Sequence, residues 1–325
     1  KCQPLSGLNQ SHELVVRTPS GAKKWDYDIG GSPSGELHSP VVGSDGTIFI
    51  GSSSRLFALS HHGTNKWSAD LWRSAGGFPA IAGDGTIYVS VGALNACSPA
   101  GSNLWFIGDF GGDAYGPPVI GETGKLYVPG PVNNSLHAIA PGGQPLWQTN
   151  LHALPFGYPT APAIDAGGRI YYCASNSVWA LNPQGQVVWK VTTFETTPTN
   201  AELANTSPTV GSDGTLYAAI GRTLYAIATG TNGPANSPWP MYRQNARHTG
   251  KVEKPALRQP QKRSDANFQF QLYGQLGQTF TVEATTNFNT WTSVTSIVAN
   301  TLPTDVVDLS ASNHPSRFYR ASSPP

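Results

Sequence analysis

The chain has 325 residues, with 20 lysines and arginines against 19 aspartates and glutamates, and 38% of the residues are hydrophobic. A formal charge of +1 provides no field that would collect nucleic acid or an anionic membrane surface, and the hydrophobic share excludes a disordered chain. Only 12% of the residues are charged, whereas 36 glycines and 27 prolines indicate many turns and short strands. No apolar run approaches the ~20 residues of a membrane-spanning helix, so we expect no transmembrane segment.

A tryptophan that follows a small-residue turn recurs along the chain, as in TPSGAKKW, SHHGTNKW and NPQGQVVW. Successive copies are 42, 38, 42 and 42 residues apart. We expect this side chain to pack between neighbouring repeats as part of the core, because an indole buries a large apolar area. The five repeated tryptophans are Trp25, Trp67, Trp105, Trp147 and Trp189.

Three further segments belong to the repeat. An apolar segment with a proline comes first, such as SPVVGSDGT or SPTVGSDGT, and short strands such as IFIGS and LFALS follow it. Asp-Gly pairs between the first two strands indicate hairpin turns, because both residues tolerate positive φ. Four short antiparallel strands in roughly every 40 residues predict an all-β fold, namely a β-propeller with four-stranded blades.

The number of blades depends on how the two ends of the repeat array are counted. Five copies carry the first three strands, but the copy near residues 205–229 lacks the tryptophan, and the segment near 12–29 supplies a tryptophan-bearing fourth strand alone. The simplest closure lets this N-terminal strand complete the last blade, which predicts five blades. A sixth blade assembled from both ends, or a chain that forms part of a longer ring, are the alternatives. We expect residues 236–250 to pack on the edge of the propeller.

The composition divides the chain into three parts. The propeller is predicted over residues 1–250, and the polar, basic stretch 251–267 is interpreted as a linker. Residues 268–325 are predicted to form a second β unit, because FQFQL alternates apolar and polar residues. Further strands are expected at TFTVEATT, WTSVTSIVA, DVVDLS and RFYRA, which together predict a small C-terminal β-sandwich.

The motif SPxxGxDGTxYxxS, followed by the small-residue turn and tryptophan, resembles the repeat of pyrroloquinoline-quinone-type propellers. That family includes quinone-dependent dehydrogenases and also proteins without a cofactor, among them the lipoprotein scaffold of the outer-membrane β-barrel assembly machinery. The C-terminal unit, from LYGQLGQTFTVEATT to RFYRA, looks like the small β module appended to many secreted bacterial proteins. The resemblance implies a propeller over about residues 12–250 and an accessory role for the C-terminal module.

The residues that hold the quinone in the enzyme branch of that family have no counterpart here. An adjacent cysteine pair and an acidic calcium site are typical of those enzymes, whereas Cys2, Cys97 and Cys173 are never adjacent. We therefore predict no cofactor, and pyrroloquinoline quinone in particular is not expected. Cys97 and Cys173 are expected to be buried structural thiols without a bridge. The eight histidines show no metal-ligand spacing, so no metal site is predicted.

The connections from the fourth strand of one blade to the first strand of the next carry the richest chemistry. In a propeller these connections gather around one mouth of the central channel. Their aromatic rings and carboxylates suit sugar stacking and hydrogen bonds to hydroxyls, two carboxylates could perform glycosidic acid–base chemistry, and the same loops could simply cap the ring. The candidate ligand-binding residues are Glu36, His38, Asp70, Trp72, Arg73, Asp109, Asp113, Tyr115, His152, Tyr158 and Glu195.

These observations favour a secreted bacterial propeller without catalytic activity, located outside the cell or in the periplasm, either free or attached to the cell surface. It would act as a scaffold or as a glycan- or protein-binding module through the connections just described. The alternative is a carbohydrate-active hydrolase or lyase with its active site at the channel mouth, an analogy at the level of the fold. The expected partner is a protein or a polysaccharide, not nucleic acid; no catalytic residue is assigned, and the oligomeric state is open.

Overall fold

The strands of the repeat are present throughout the computed structural model, and the only other regular element described is a 3-10 turn at Ala311–Asn313. The structure describes residues 13–30, 39–52, 54–72, 77–108, 116–130, 135–151, 160–174, 177–192, 206–220, 223–245, 250–251, 256–265, 267–274, 279–299, 303–314 and 316–322.

The strands of the first 250 residues form one hairpin and five sheets, all antiparallel. A two-stranded hairpin precedes four sheets of four strands, and a three-stranded sheet follows them. The hairpin contains β1 (Glu13–Arg17) and β2 (Lys23–Asp28). The first four-stranded sheet contains β3 (Val41–Val42), β4 (Ile48–Ser52), β5 (Arg55–Leu59) and β6 (Asn65–Asp70). The second contains β7 (Phe78–Ile81), β8 (Ile87–Val91), β9 (Ala93–Cys97) and β10 (Asn103–Ile107).

The remaining sheets repeat the same order of strands. The third contains β11 (Val119–Ile120), β12 (Leu126–Pro129), β13 (Leu136–Ile139) and β14 (Pro145–Thr149). The fourth contains β15 (Ala163–Ile164), β16 (Ile170–Ala174), β17 (Ser177–Leu181) and β18 (Val187–Thr192). The fifth contains β19 (Thr209–Val210), β20 (Thr215–Ile220) and β21 (Thr223–Ala228).

Burial falls from the first strand of each sheet to the fourth. Both residues of β11 are buried, whereas β14 alternates between exposed and half-buried side chains. The sequence explains this gradient, because the first three strands are apolar and the fourth alternates polar residues with its tryptophan. The core therefore lies on the side of the first three strands, and the fourth strands face solvent.

All five sheets use the same turn between their first and second strands. In the first sheet, Gly43 N donates to Thr47 O at 2.8 Å, and Gly46 N donates back to Gly43 O at 3.0 Å. The Asp45 carboxylate completes the turn, since its Oδ1 accepts a hydrogen bond from Thr47 N at 2.8 Å. The hairpins predicted from the Asp-Gly pairs are confirmed.

The fourth sheet builds this turn from exchanged residues. Asp165 stands where the first sheet has Gly43, and Gly167 stands where it has Asp45. The Oδ1 of Asp165 accepts hydrogen bonds from Gly167 N and Arg169 N, both at 2.9 Å. A carboxylate therefore closes this turn too, although the residue that carries it lies two positions earlier.

Four of the repeated tryptophans join one sheet to the next. The glycine of each accepting turn comes so close to the indole that no side chain fits, since a methyl group at Gly101 would lie 2.7 Å from the Trp67 ring. The predicted packing between neighbouring repeats is confirmed for these four, but all five side chains are half-buried rather than fully buried. The four hydrogen bonds, each 3.0 Å long, run from Nε1 of Trp25, Trp67, Trp105 and Trp147 to the carbonyls of His61, Pro99, Pro141 and Pro183.

The N-terminal segment contributes a hairpin, where the sequence predicted a single fourth strand. Within the described residues, β2 pairs with β1 and β21 forms the edge of the fifth sheet. Leu224 on that edge strand is 68% exposed. Trp25 of the hairpin docks on the first four-stranded sheet as Trp67 docks on the second. The predicted pairing of the N-terminal strand with the last sheet is thus not among the described strand pairs.

The described part of the chain after β21, which the sequence predicted to pack on the edge of the propeller, packs against first strands. We call residues 233–245 and 250–251 the inner segment. Its carbonyls accept hydrogen bonds from the amides of Val42, Ile120 and Ile164, at 2.7, 2.8 and 2.9 Å. Trp239 and Met241 of this segment are 2% and 0% exposed. First strands leave one edge of hydrogen-bonding groups open, and a buried edge must be covered, which explains why this segment packs there.

The C-terminal module consists of two three-stranded sheets around a small apolar core. Part of the predicted linker, Ala256–Lys262, forms a strand here. Its polar sequence gives no alternation that would predict a strand. Its register shifts between Arg258 and Gln261, around a proline. One sheet has the order β22-β23-β26 and the other β25-β24-β27. The strands are β22 (Ala256–Lys262), β23 (Phe268–Tyr273), β24 (Thr279–Thr285), β25 (Thr292–Val298), β26 (Thr304–Asp308) and β27 (Phe318–Ser322).

Candidate binding surface

Two of the predicted ligand-binding residues, Asp70 and Trp72, lie in the described part of the chain. They end the fourth strand of the first sheet and begin its connection to the second sheet. The other nine lie outside the described residues: Glu36, His38, Arg73, Asp109, Asp113, Tyr115, His152, Tyr158 and Glu195.

Trp72 forms an exposed aromatic pair with Phe106 of β10. The two rings are stacked, with centroids 4.6 Å apart and planes 17° from parallel. Trp72 is 53% exposed and Phe106 is 50% exposed. Leu104, two residues away on the same strand, is 53% exposed as well. We call these three side chains the aromatic platform; they lie against the outermost strand of the second sheet.

Hydrogen bonds hold the backbone beneath this platform in place. Trp72 N donates to the Asn95 side-chain oxygen at 3.0 Å, and Asn103 Nδ2 donates to Asp70 O at 3.0 Å. Asn95 is only 2% exposed. Because a buried amide must find hydrogen-bond partners, Asn95 fixes the path of the connection across the second sheet. The platform is therefore preformed.

A charged pair lies close to Trp72 along the chain. Arg55 Nε and Asp70 Oδ1 are 2.7 Å apart, and the side chains are 55% and 77% exposed. An ion pair this exposed adds little to stability. Both side chains remain exposed to solvent, and Asp70 lies two residues before Trp72.

Sequence reasoning missed Phe106, although the repeat contains a signal for it. The residue directly after the repeated tryptophan is polar or charged in the other four copies and lies on the exposed face of the fourth strand. Only the second sheet has an apolar residue at this exposed position, which marks it as unusual. The five residues in order are Asp26, Ser68, Phe106, Gln148 and Lys190.

The inner segment places large side chains among first strands. Trp239 belongs to a cluster of buried side chains that includes Val41, Ala80 and Ile120 of three different sheets. Met241 belongs to another, with Ala163 and Val210 of the fourth and fifth sheets. The inner segment thus shares buried clusters with first-strand residues of all five sheets.

The described cysteines are inert. Cys97 and Cys173 are free and buried, as predicted, and Cys2 lies outside the described residues. Burial raises the pKa of the Cys97 thiol to about 11 and that of Cys173 to about 12, so both stay protonated and unreactive. Within the described ranges, no three His, Cys, Asp or Glu side chains are grouped as a metal site, and no helix is long and apolar enough to cross a membrane.

Comparison with known proteins supports the propeller fold. No protein-family model and no curated protein matches the chain. A streptogramin B lyase structure is similar with a TM-score of 0.54 at 14% identity, over 80% of this chain and 84% of the other. A catalytically inactive virginiamycin B lyase from Staphylococcus aureus, solved with quinupristin, is similar with a TM-score of 0.52 at 11% identity, over 84% and 95%. At such identities the similarity shows the fold alone, and both are propeller proteins.

The fold gives the inner segment its location. In a propeller the first strand of each blade faces the central channel and the fourth strand faces outward. The inner segment, which bonds to first strands, therefore lies on the inner side of the sheets, and the aromatic platform lies toward the outer side.

Proposed function

We propose that the protein is a non-catalytic binding module that holds a polysaccharide on its aromatic platform. The observation that carries this proposal is the stacked, half-exposed pair of Trp72 and Phe106 on a preformed backbone. One face of an indole is the surface on which the apolar face of a sugar ring stacks, and Asp70 and Arg55 offer hydrogen bonds to its hydroxyls.

The inner segment supports a role without catalysis. The mouth of an open channel is where a propeller hydrolase or lyase would enclose its substrate, and in the proposed ring Trp239 and Met241 would fill part of that space. The two lyases of similar fold share only 11–14% of their residues with this chain, so their activities do not transfer to it.

A polysaccharide co-sedimentation assay with the full chain tests the proposal. We expect wild type to pellet with at least one insoluble polysaccharide of a panel, and Trp72→Ala to reduce the bound fraction at least tenfold. Phe288→Ala is the matched control, because Phe288 belongs to another exposed aromatic pair, with Phe318 in the C-terminal module. Equal binding by wild type and Trp72→Ala would overturn the proposal. A wild-type protein that binds only a protein partner, and no polysaccharide of the panel, would overturn it as well.

The same assay separates the enzymatic alternative. Soluble sugars released from the pellet, and absent with Asp109→Asn or Asp113→Asn, would identify a hydrolase or lyase. Binding without release is the outcome that the proposal requires.

We also propose an arrangement of the blades. Five sheets begin with a short inner strand and the same turn, and we assign these as five blades. The β1–β2 hairpin docks its tryptophan on the first blade in the manner of a preceding blade, which favours a sixth, incomplete position. A crystal structure of the full chain tests this arrangement, and pairing of β2 with β21 would instead support the five-bladed closure expected from the sequence.

A further inference from the structure

The turn between the first two strands of the third sheet has no carboxylate to close it. In the other four sheets, an aspartate accepts a hydrogen bond of 2.8 to 3.0 Å from the amide at the start of the second strand. The third sheet has Lys125 at this position, and it has Gly121 and Thr123 where the other turns carry their aspartate. Among the described residues, no side chain accepts a hydrogen bond from the Lys125 amide.

The fourth sheet shows which groups around such a turn bind a carboxylate. Asp165, at the position of Gly121, accepts hydrogen bonds from Arg169 N at 2.9 Å and from the Tyr171 hydroxyl at 2.6 Å. Burial raises the pKa of Tyr171, the Asp165 carboxylate raises it further, and Arg169 lowers it, so the guanidinium lies near this hydroxyl. An amide, a hydroxyl and a cation thus surround one carboxylate.

The third sheet keeps these three groups without the carboxylate. Lys125 stands in the place of Arg169, and Tyr127 stands in the place of Tyr171. Tyr127 is 4% exposed, and its hydroxyl has no hydrogen-bond partner in the part of the chain that the structure describes. Burial alone raises the pKa of Tyr127 to about 12, with no contribution from a neighbouring charge or hydrogen bond. This buried donor gains free energy from any acceptor that a ligand brings.

A cleft of about 160 Å³ lies beside these groups, between the third and fourth sheets. Lys125, Tyr127 and the exposed Glu122 line it, and every other lining residue also lies within the described ranges. Asp165 lines it too, but it is 0% exposed and its carboxylate is bonded by the donors of its own sheet. A cavity of about 150 Å³ holds benzene, so this cleft has room for one small ring. Its apolar wall is formed by Ile164, Pro183 and Ala235.

We propose that this cleft binds a small cyclic carboxylic acid, whose carboxylate takes the place of the absent aspartate. The Lys125 ammonium supplies the counter-charge, and the Lys125 amide and the Tyr127 hydroxyl supply two hydrogen-bond donors. The apolar wall contacts the ring of the ligand. Glu122 at the rim suits the ammonium of a cyclic amino acid, so such a zwitterion belongs to the same class of ligand. This site is separate from the aromatic platform and does not depend on the proposed function.

Calorimetric titration of the full chain at constant ionic strength tests the site. The probes are two acids, benzoate and proline, and their amides, benzamide and prolinamide, which keep the shape of the acids and lack the negative charge. We expect at least one acid to bind and its amide to bind at least tenfold more weakly. Failure of both acids to bind, or equal binding by each acid and its amide, would overturn the proposal.

Variants of the turn assign the binding to this cleft. Gly121→Asp places a carboxylate where the fourth sheet has Asp165, at a position without positive φ, and should abolish binding of the acid. A Cβ there would lie 3.2 Å from the Tyr127 ring, so two milder variants accompany this one. Tyr127→Phe and Lys125→Gln should each weaken binding at least fivefold. Unchanged binding by both of these variants would contradict the proposed contacts.

Two control variants complete the experiment. Tyr88 is the equivalent tyrosine of the second sheet, and its hydroxyl donates to Pro141 O at 3.4 Å. Tyr88→Phe should therefore bind the acid as wild type does, and an equal loss in Tyr88→Phe and Tyr127→Phe would contradict a site at the third sheet. Trp72→Ala should leave this binding unchanged, so failure of the cleft and failure of the platform are distinguishable.

Discussion

The Trp105 indole makes three contacts although it is only half-buried. Its Nε1 donates to Pro141 O at 3.0 Å, its ring lies over Gly143, and its centroid is 5.7 Å from that of Tyr88. We expect Trp105→Ala to lower the free energy of unfolding by about 3 kcal/mol. Trp72→Ala removes an exposed ring and should cost less than about 1 kcal/mol. Urea denaturation compares the two, and equal losses would contradict the docking role.

His137 gives the propeller a defined sensitivity to acid. The side chain is 2% exposed, and burial lowers its pKa from 6.5 to about 4. Between these values the unfolded chain binds a proton that the folded chain does not, so stability falls as the pH drops through this window. The contribution is fully present above pH 6.5 and amounts to at most about 3 kcal/mol.

A variant isolates this effect. Asn95 occupies the equivalent position in the second sheet, so His137→Asn should fold and should flatten the dependence of stability on pH between about 6.5 and 4. Burial would raise the pKa of Asp308, but its hydrogen bonds, led by that from Ser310, hold it below 3.8, outside the window. Urea unfolding near pH 7 and pH 4.5 measures the difference, and equal slopes for both proteins would refute it.

At the scale of a turn, the exchanged positions of aspartate and glycine at 165 and 167 in the fourth sheet can be reversed by mutation. Asp165→Ala leaves the Tyr171 hydroxyl and the amides of Gly167 and Arg169 without their carboxylate, and should cost about 2 kcal/mol. Adding an aspartate at 167 restores the pattern of the first sheet, and Gly167 does not have the positive φ that would forbid it. The double variant Asp165→Gly, Gly167→Asp should recover about half of the loss.

Thermal denaturation of the single and double variants tests this exchange. Only partial recovery is expected, because Tyr171 OH donates to Asp165 Oδ2 at 2.6 Å and has no acceptor at that place in the double variant. A double variant less stable than Asp165→Ala would show that the two positions are not interchangeable.

Elements with a local pattern were predictable from the sequence, and elements defined by distant contacts were not. The Asp-Gly turns and the recurring tryptophans predicted the strands of the five sheets, because each copy repeats the same residues at the same spacing. Strand β22 has no alternation, and its pairing with β23 depends on the partner strand. The pairing of Trp72 with Phe106 crosses 34 residues, and only the comparison among copies hints at it.

On the scale of the whole molecule, the inner segment supplies hydrogen-bond acceptors to the edges of first strands. Each first strand is an edge strand of its sheet, so its outward backbone groups need partners from elsewhere in the chain. Carbonyl groups of the inner segment accept hydrogen bonds from three first-strand amides, those of Val42, Ile120 and Ile164. The inner segment thus covers the edges of these first strands, and sheets that are remote in sequence become coupled through it.

This coupling predicts the behaviour of a variant at the centre of the molecule. Trp239→Ala removes a side chain that is 2% exposed among residues of three sheets, and should lower the free energy of unfolding by about 4 kcal/mol. The amides of Ile120 and Ile164, which donate to the Trp239 and Pro240 carbonyls, should then exchange with deuterium at least tenfold faster. The Val282 amide, in the C-terminal module, serves as the internal control and should keep its rate. Hydrogen-exchange mass spectrometry resolves these segments, and unchanged exchange at Ile120 and Ile164 would show that the inner segment does not hold the first strands together.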